Sequence, residues 1–206
     1  SPELSKRLQK SGTGERCWNL AYMAQGAFFR PISSDDGQSG PRPHIGLIDE
    51  LHEHKTNTVV EMMRAGTKSR RQAMIFMITN AGHNRMGPCW SYHEYGAKVA
   101  AGEVEDDAFF PYVCSLDEQD DPFADESCWP KANPSLQDAD LPGMKYIREQ
   151  VVEAKGMPSK EAIVRRLNFC QWTDAESPWI SGEVWRGAQR DFDWQDLRGR
   201  RAVAGL

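Results

Sequence analysis

The chain has 206 residues, of which 39% are hydrophobic and 27% charged, and a formal net charge of -5. This mix predicts a folded chain with one good core, or one domain plus a smaller appendage, and excludes a disordered one. The acidic balance gives no sign of a generally basic nucleic-acid binder, although a local basic face is compatible with an acidic total. No apolar run approaches the ~18 residues of a membrane span and no signal-peptide pattern opens the chain, so neither insertion nor secretion is expected. The five cysteines, Cys17, Cys89, Cys114, Cys128 and Cys170, form no C-x-x-C pair and are odd in number. They predict a reduced compartment with thiols serving as small apolar fillers.

In chain order, Glu3 to Lys10 suits a short helix closed by Ser11-Gly12. Alternation at Trp18, Leu20 and Tyr22, and again at Phe28, Arg30 and Ile32, predicts two strands around Ala24-Gln25-Gly26. The Ser-, Asp-, Gly- and Pro-rich run 33–43 reads as a loop. A strand follows over His44 to Ile48. Thr58-x-x-Glu61 forms a capping-box pattern before a short helix that Gly66 can stop. The almost continuously apolar run 73–79, AMIFMIT, predicts a strand buried on both faces of a parallel sheet. Strand, helix and strand make a βαβ unit with a right-handed crossover. Both strands then end at one sheet edge, which puts Asp49-Glu50 beside Thr79-Asn80, where open α/β sheets bind ligands.

Beyond Gly82, Trp90 to Ala101 reads as a helix and Phe109 to Ser115 as a strand. Glu103 to Glu126 is rich in acids and holds no Lys or Arg, so it repels a DNA backbone. WPKANPSL (129–136) is a Pro-punctuated turn region. Helices are expected over Leu141–Lys155, with Ile147, Val151 and Ala154 on one face, and over Ser159–Cys170, with Ile163 and Leu167 inward. Ser181 can cap another short helix running to Gln189.

The chemistry concentrates in HIGLIDELHEH (44–54), an apolar strand that ends on two adjacent acids. This is the Walker-B pattern of P-loop ATPases that use a glutamate base. An Asp at the strand end holds Mg²⁺ against the β- and γ-phosphates, and the next carboxylate orients or deprotonates the attacking water. A capped surface strand gives the same pattern. A competing metal site would use His52 and His54 with Asp49 and Glu50, yet there is no HExxH and no Cys/His cluster to add a soft ligand.

HIGLIDELHEH, SRRQAMIFMITNAG, WPKANPSL and RRLNFCQW follow one another in an order and spacing that resembles the large terminase subunit of tailed bacteriophages. The opening S-P-E-L segment agrees as well. The resemblance implies an α/β fold: a partial P-loop NTPase (ASCE-type) parallel sheet with flanking helices, followed by a small helical linker subdomain. It implies residues 1–128 as the second half of an ATPase domain, 129–200 as the linker and 201–206 as the first strand of a nuclease domain. The implied activity is a motor that hydrolyses ATP, with Mg²⁺, to pump double-stranded phage DNA into a procapsid, while a nuclease domain cuts the DNA. Its implied partners are the DNA, the small terminase subunit, the portal protein and further copies in a ring, working in the host cytoplasm with no membrane involved.

Residue by residue, the resemblance gives Asp49 to Mg²⁺ and Glu50 to water activation at the bound nucleotide. Thr79 and Asn80 fall in its coupling motif, with Asn80 where many relatives carry a second Thr; either side chain can hydrogen-bond phosphate or water. Arg42 falls where such motors can supply an arginine to a neighbour's nucleotide, and a solvated loop arginine is the plain alternative. Arg70 and Arg71 suit phosphate contact or a solvated strand edge. Trp129, Asn133, Asn168 and Trp172 match structural positions that fix the linker to the ATPase core. No G-x-x-x-x-G-K-[ST] occurs in the sequence, and GTGER (12–16) lacks the lysine. The phosphate-cradling loop is therefore expected before residue 1 and the first nuclease Asp after residue 206, so this stretch alone is expected to be inactive. A non-catalytic prophage remnant or binding module, and a metal-dependent hydrolase built on His52 and His54, are the alternatives from other classes.

Overall fold

The computed structural model describes residues 2–13, 16–33, 42–139 and 141–174, with short pieces between 184 and 201. Most of the 33–43 loop, most of the helix expected from Ser181 and all but the first residue of the closing RAVAGL run lie outside the described residues, although the Ala188 N–H donates to the Val184 carbonyl at 3.0 Å. The chain divides into two compact units, Ser1–Ile78 and Thr79–Leu206.

The first unit opens with α1 (Pro2–Arg7), whose Glu3 and Lys6 pair at 3.0 Å. The acid sits in the first turn and the bases in the last, the polarity the helix dipole favours. Three antiparallel strands follow, β1 (Gln9–Thr13), β2 (Arg16–Tyr22) and β3 (Ala27–Phe29), in the order β1-β2-β3. The helix expected to run to Lys10 therefore stops at Arg7. From Gln9 onward the backbone pairs with β2, beginning with Gln9 opposite Ala21, and ladder hydrogen bonds outweigh the weak helical propensity of a polar Gln-Lys-Ser run. A bulge between Ser11 and Gly12 lets the register shift. The β2–β3 connection is a short 3₁₀ turn closed by Gly26 at φ +62°, a conformation glycine adopts without strain.

β4 (Ile45–Ile48) and β5 (Met74–Met77) then form a parallel pair joined through α2 (Thr58–Gly66), with Ile45 opposite Met74 and Ile48 opposite Met77. Gly46 and Ile48 point inward, as do Val59 and Val60 of α2. A Cβ on Gly46 would meet Ile75 Cδ1 at 2.9 Å and Met63 at 3.7 Å, so the glycine admits the helix close against the strand. The other sheet face behaves differently. Ile45, Leu47, Met74, Phe76 and Ile78 are all about half exposed, which corrects the expectation of a strand buried on both sides. A parallel strand is apolar on both faces because something covers each, and whether that cover is present depends on elements far from the strand. The capping box is a second correction. Asn57 is the N-cap, its Nδ2 donates to Glu61 Oε1 at 2.9 Å, and the Thr58 hydroxyl instead lies 3.0 Å from that of Thr56. Gly66 closes the helix in an ordinary right-handed conformation.

The second unit begins with α3 (Pro88–Ala100) and a long non-regular stretch. Phe109 to Ser115, expected as a strand, forms none. Its apolar residues find helix and loop partners instead: Phe109 packs on Tyr92 and Tyr95, while Phe110 and Tyr112 face solvent. WPKANPSL is helical on both sides of Asn133, as α4 (Trp129–Ala132) and α5 (Ser135–Ala139). Two longer helices, α6 (Met144–Gly156) and α7 (Pro158–Phe169), follow. Their core gathers Trp129, Leu136, Ile147, Val151, Ala154, Val164 and Phe169. Ile163 and Leu167 are exposed and Ala162, Val164 and Phe169 buried, so α7 presents a different stripe from the one its aliphatic residues predict. Phe169, the largest apolar group on the helix, sits fully buried beside Trp129 with ring centroids 5.9 Å apart, and its burial sets the rotation.

The acidic stretch 103–126 is held against this core by basic residues from elsewhere. Lys131 reaches Asp117 at 2.6 Å and Asp120 at 2.8 Å, Arg148 grips both oxygens of Glu126, and Arg165 lies 3.4 Å from Asp121 while its guanidinium covers Phe123. These bonds hold the Asp120 and Glu126 carboxyls below the usual carboxylate range, through Lys131 and Arg148 respectively.

Candidate active site

The last ladder bond of the parallel pair runs from the Ile78 N–H to the Ile48 carbonyl, 3.0 Å. Both strands therefore deliver their carboxy-terminal ends to one sheet edge, and Asp49 follows Ile48 directly. The chain turns sharply here. Glu50 adopts φ +50°, ψ +50°, a left-handed conformation that costs a non-glycine residue about 1–2 kcal/mol. The strain is held on both sides: the Glu50 N–H donates to Asp49 Oδ1 at 3.0 Å, and the Glu50 carbonyl accepts from the Glu53 N–H at 2.8 Å. Leu51, only 2% exposed, anchors the turn in the core and leaves the two acids at the surface. Adjacent residues of a regular strand point to opposite faces; the left-handed turn releases Asp49 and Glu50 from that rule.

His52 enters this arrangement in a role that its place in the H-x-H pair does not suggest. Its side chain is 9% exposed, with Nδ1 3.2 Å from Glu50 Oε2 and Nε2 3.2 Å from Glu53 Oε1. His54 does not join it; its Nδ1 is buried with no hydrogen-bond partner. Among the described residues no three His, Cys, Asp or Glu side chains converge as a metal cluster. The paired-histidine reading fails on geometry, because His52 turns to carboxylates and His54 turns inward. One exposed carboxylate at a strand end does fit Mg²⁺, which takes one or two protein oxygens and draws the rest of its shell from phosphates and water.

Arg42 lies at the other end of β4. It precedes Ile45, the first residue of β4, by three positions, and Asp49 follows Ile48, the last. Its carbonyl accepts two hydrogen bonds from the Arg70 guanidinium, at 3.2 and 3.0 Å. Arg70 thus ties together the entries to β4 and β5, a structural role that the sequence left open.

In the second unit, Thr79 Oγ1 donates to the Asn80 carbonyl at 2.9 Å and lies 3.7 Å from Cys89 Sγ. Cys170 Sγ donates to Asn80 Oδ1 at 3.9 Å, and the Thr173 N–H donates to the Gly82 carbonyl at 3.3 Å. Burial pushes both thiols up, the Thr79 contact opposing it at Cys89 and the Ala81 backbone at Cys170, so both remain protonated donors at neutral pH. Trp172 packs edge-on to Trp90 at 4.7 Å, and Arg85 lies over Trp90 at 4.8 Å. The segment after α7 is thereby bound to the Thr79–Arg85 segment at several points. Cys170 itself sits at φ +50° as the left-handed cap of α7, a conformation that leaves no trace in the sequence. Trp129 Nε1 donates to the Pro122 carbonyl at 2.8 Å, and Asn133 Nδ2 donates to the Asn168 carbonyl at 2.8 Å, joining α4 to α7.

A parallel pair joined through a helix, together with a compact helical unit, is an α/β arrangement. Comparison with known proteins makes the assignment specific. The family model for the ATPase domain of the terminase large subunit matches residues 20–98, and the model for its endonuclease domain matches residues 103–206. The chain belongs to the terminase large subunit family. It is 29% identical over 154 residues to protein YmfN of Escherichia coli strain K12, covering 73% of this chain and 32% of that protein. The crystal structure of the HK97 bacteriophage large terminase superposes with a TM-score of 0.67 over 90% of this chain at 18% identity, and so shares the fold. The chain spans about a third of the length of these relatives, 32% and 37%.

Proposed function

We propose that this chain contributes the acidic half of the ATP-hydrolysing site of a DNA-packaging motor, in which hydrolysis drives double-stranded DNA into a procapsid and the same protein cuts the DNA. The observation that carries the reading is the strand edge itself: Asp49 and Glu50 sit exposed on a strained, hydrogen-bonded turn at the carboxy-terminal end of a parallel pair. Strain held at a surface turn by surrounding bonds is characteristic of a site that needs its side chains in fixed places. Asp49 would hold Mg²⁺, its Oδ1 oriented by the Glu50 N–H. Bound Mg²⁺ supplies neutralisation of the β- and γ-phosphate charge. Glu50 would orient the attacking water and take up its proton, an exposed carboxylate being the kind of base this needs. Thr79 and Asn80 would sense the γ-phosphate by hydrogen bonding, and the thiols of Cys89 and Cys170 keep that segment in place. Arg42, at the opposite end of β4 from Asp49, would reach only a neighbouring subunit's nucleotide.

The sequence holds no phosphate-cradling loop, so residues 1–206 alone should show little turnover and the full-length protein should be active. The portal, the small terminase subunit, further copies in a ring and the host cytoplasm as working place belong to the same reading. They rest on family membership. Asp49→Ala in the full-length protein is expected to weaken Mg²⁺-dependent ATP binding and to end packaging of DNA. An Asp49→Ala protein that packages at the parental rate contradicts the assignment.

A further inference from the structure

We infer that His52 is a positioning residue for Glu50, holding its carboxylate in the orientation that accepts the proton of the attacking water. The inference rests on the reading of Glu50 given above and adds to it a residue that reading does not use. A glutamate base on a surface turn has three rotatable bonds, and with the side chain 55% exposed packing alone does little to fix where its oxygens lie. His52 has the opposite character. Its ring is almost wholly enclosed at 9% exposure and is carried on the 3₁₀ turn Leu51–Glu53, which buried Leu51 anchors. An enclosed ring therefore meets a half-exposed carboxylate, with Nδ1 3.2 Å from Glu50 Oε2.

The other ring nitrogen, Nε2, meets Glu53 Oε1 at 3.2 Å. A neutral imidazole donates from one nitrogen only; with the proton on Nδ1 the ring donates to Glu50, and Nε2 makes no hydrogen bond to Glu53. The left-handed backbone at Glu50 has a place in this geometry. It folds the chain back tightly enough for a residue two positions on to reach the Glu50 side chain, where in a continuing strand the two would simply lie on one face. The strain at Glu50 and the enclosure of His52 are then parts of one device for fixing a single carboxylate. Loss of fixed orientation lowers the rate of the chemical step without touching nucleotide binding.

The test compares His52→Asn, His52→Gln and His52→Ala in the full-length protein with Glu50→Gln as the reference, reading kcat and KM for ATP hydrolysis. An Asn amide nitrogen falls near the Nδ1 position and can still donate to Glu50, whereas a Gln amide nitrogen falls near Nε2 and faces Glu53. The expected result is that His52→Asn keeps most of the parental kcat. His52→Gln and His52→Ala should both lose roughly ten- to a hundred-fold in kcat, with KM for ATP unchanged in all three. A role in packing alone predicts no advantage of Asn over Gln, and equal kcat for the two overturns the inference, as does a kcat that rises on removing the ring. Parental kcat in all three variants beside an inactive Glu50→Gln removes His52 while leaving Glu50 in place. Parental turnover by Glu50→Gln removes the reading of Glu50 and this inference with it.

Discussion

The parallel pair of the first unit and the helical core of the second are built on opposite terms. β4 and β5 cover one face with α2 and leave Ile45, Leu47, Met74, Phe76 and Ile78 half exposed on the other. The helices of the second unit close around Trp129 and Phe169, both essentially buried, and lock their loops with ion pairs and side-chain bonds to backbone. The acids assigned to chemistry stand on the sparsely covered element, whose turn is secured by local hydrogen bonds. Precision at Asp49 and Glu50 therefore comes from a few short-range contacts, His52 among them, whereas order in the second unit comes from volume and burial. Substitutions should separate the two.

The largest stability effect is expected at Trp129. Trp129→Ala removes a fully buried ring and its bond to the Pro122 carbonyl, and should cost about 3–5 kcal/mol, read as lost hydrogen-exchange protection in α6 and α7. Protection of β4 and β5 should hardly change, and an equal loss there would erase the contrast between the regions. Gly46→Val comes next and acts in the reverse sense. Its branches would press on Ile75 and Met63, costing about 1–3 kcal/mol, with exchange accelerating in β4, α2 and β5 while the helical core holds. Asn133→Ala should remove about 1 kcal/mol from the second unit by deleting the link to Asn168.

The smallest effect is one of pH. The folded state holds Asp120 and Glu126 below their ordinary range, mainly through Lys131 and Arg148, so it favours their ionised forms. Their contribution is present above about pH 4 and lost as the pH falls through the lower folded-state values. His93 adds a second window. Burial lowers its pKa against the opposing effect of Glu94, so the folded state favours the neutral ring and stability declines as the pH drops below about 6.5. Fluorescence of Trp90 and Trp172 beside it should report that loss first, and His93→Gln should abolish it.

Much of this organisation can be read from the residues, and the failures have physical causes. β4 and β5 announce themselves by apolar runs, and Asp49-Glu50 by its position at the end of one. α6 and α7 follow from helical spacing, although which stripe of α7 turns inward does not, because Phe169 decides it through a partner 40 residues away, Trp129. β1 is polar and exists only through its pairing with β2, so nothing local predicts it. Phe109 to Ser115 has strand composition but pairs with no strand among the described residues. His52 is the instructive case. As one half of an H-x-H pair it suggests a metal, and the left-handed turn at Glu50, which no sequence pattern reveals, is what brings it to a carboxylate.

The central claim is that Glu50 performs the chemistry and does not hold the nucleotide. Glu50→Gln keeps the shape of the side chain and removes the base, so the decisive measurement is ATP turnover beside equilibrium ATP binding for this variant of the full-length protein. Hydrolysis falling by roughly 10²-fold or more with binding close to parental is the predicted result. Turnover at the parental rate, or binding lost together with turnover, contradicts it.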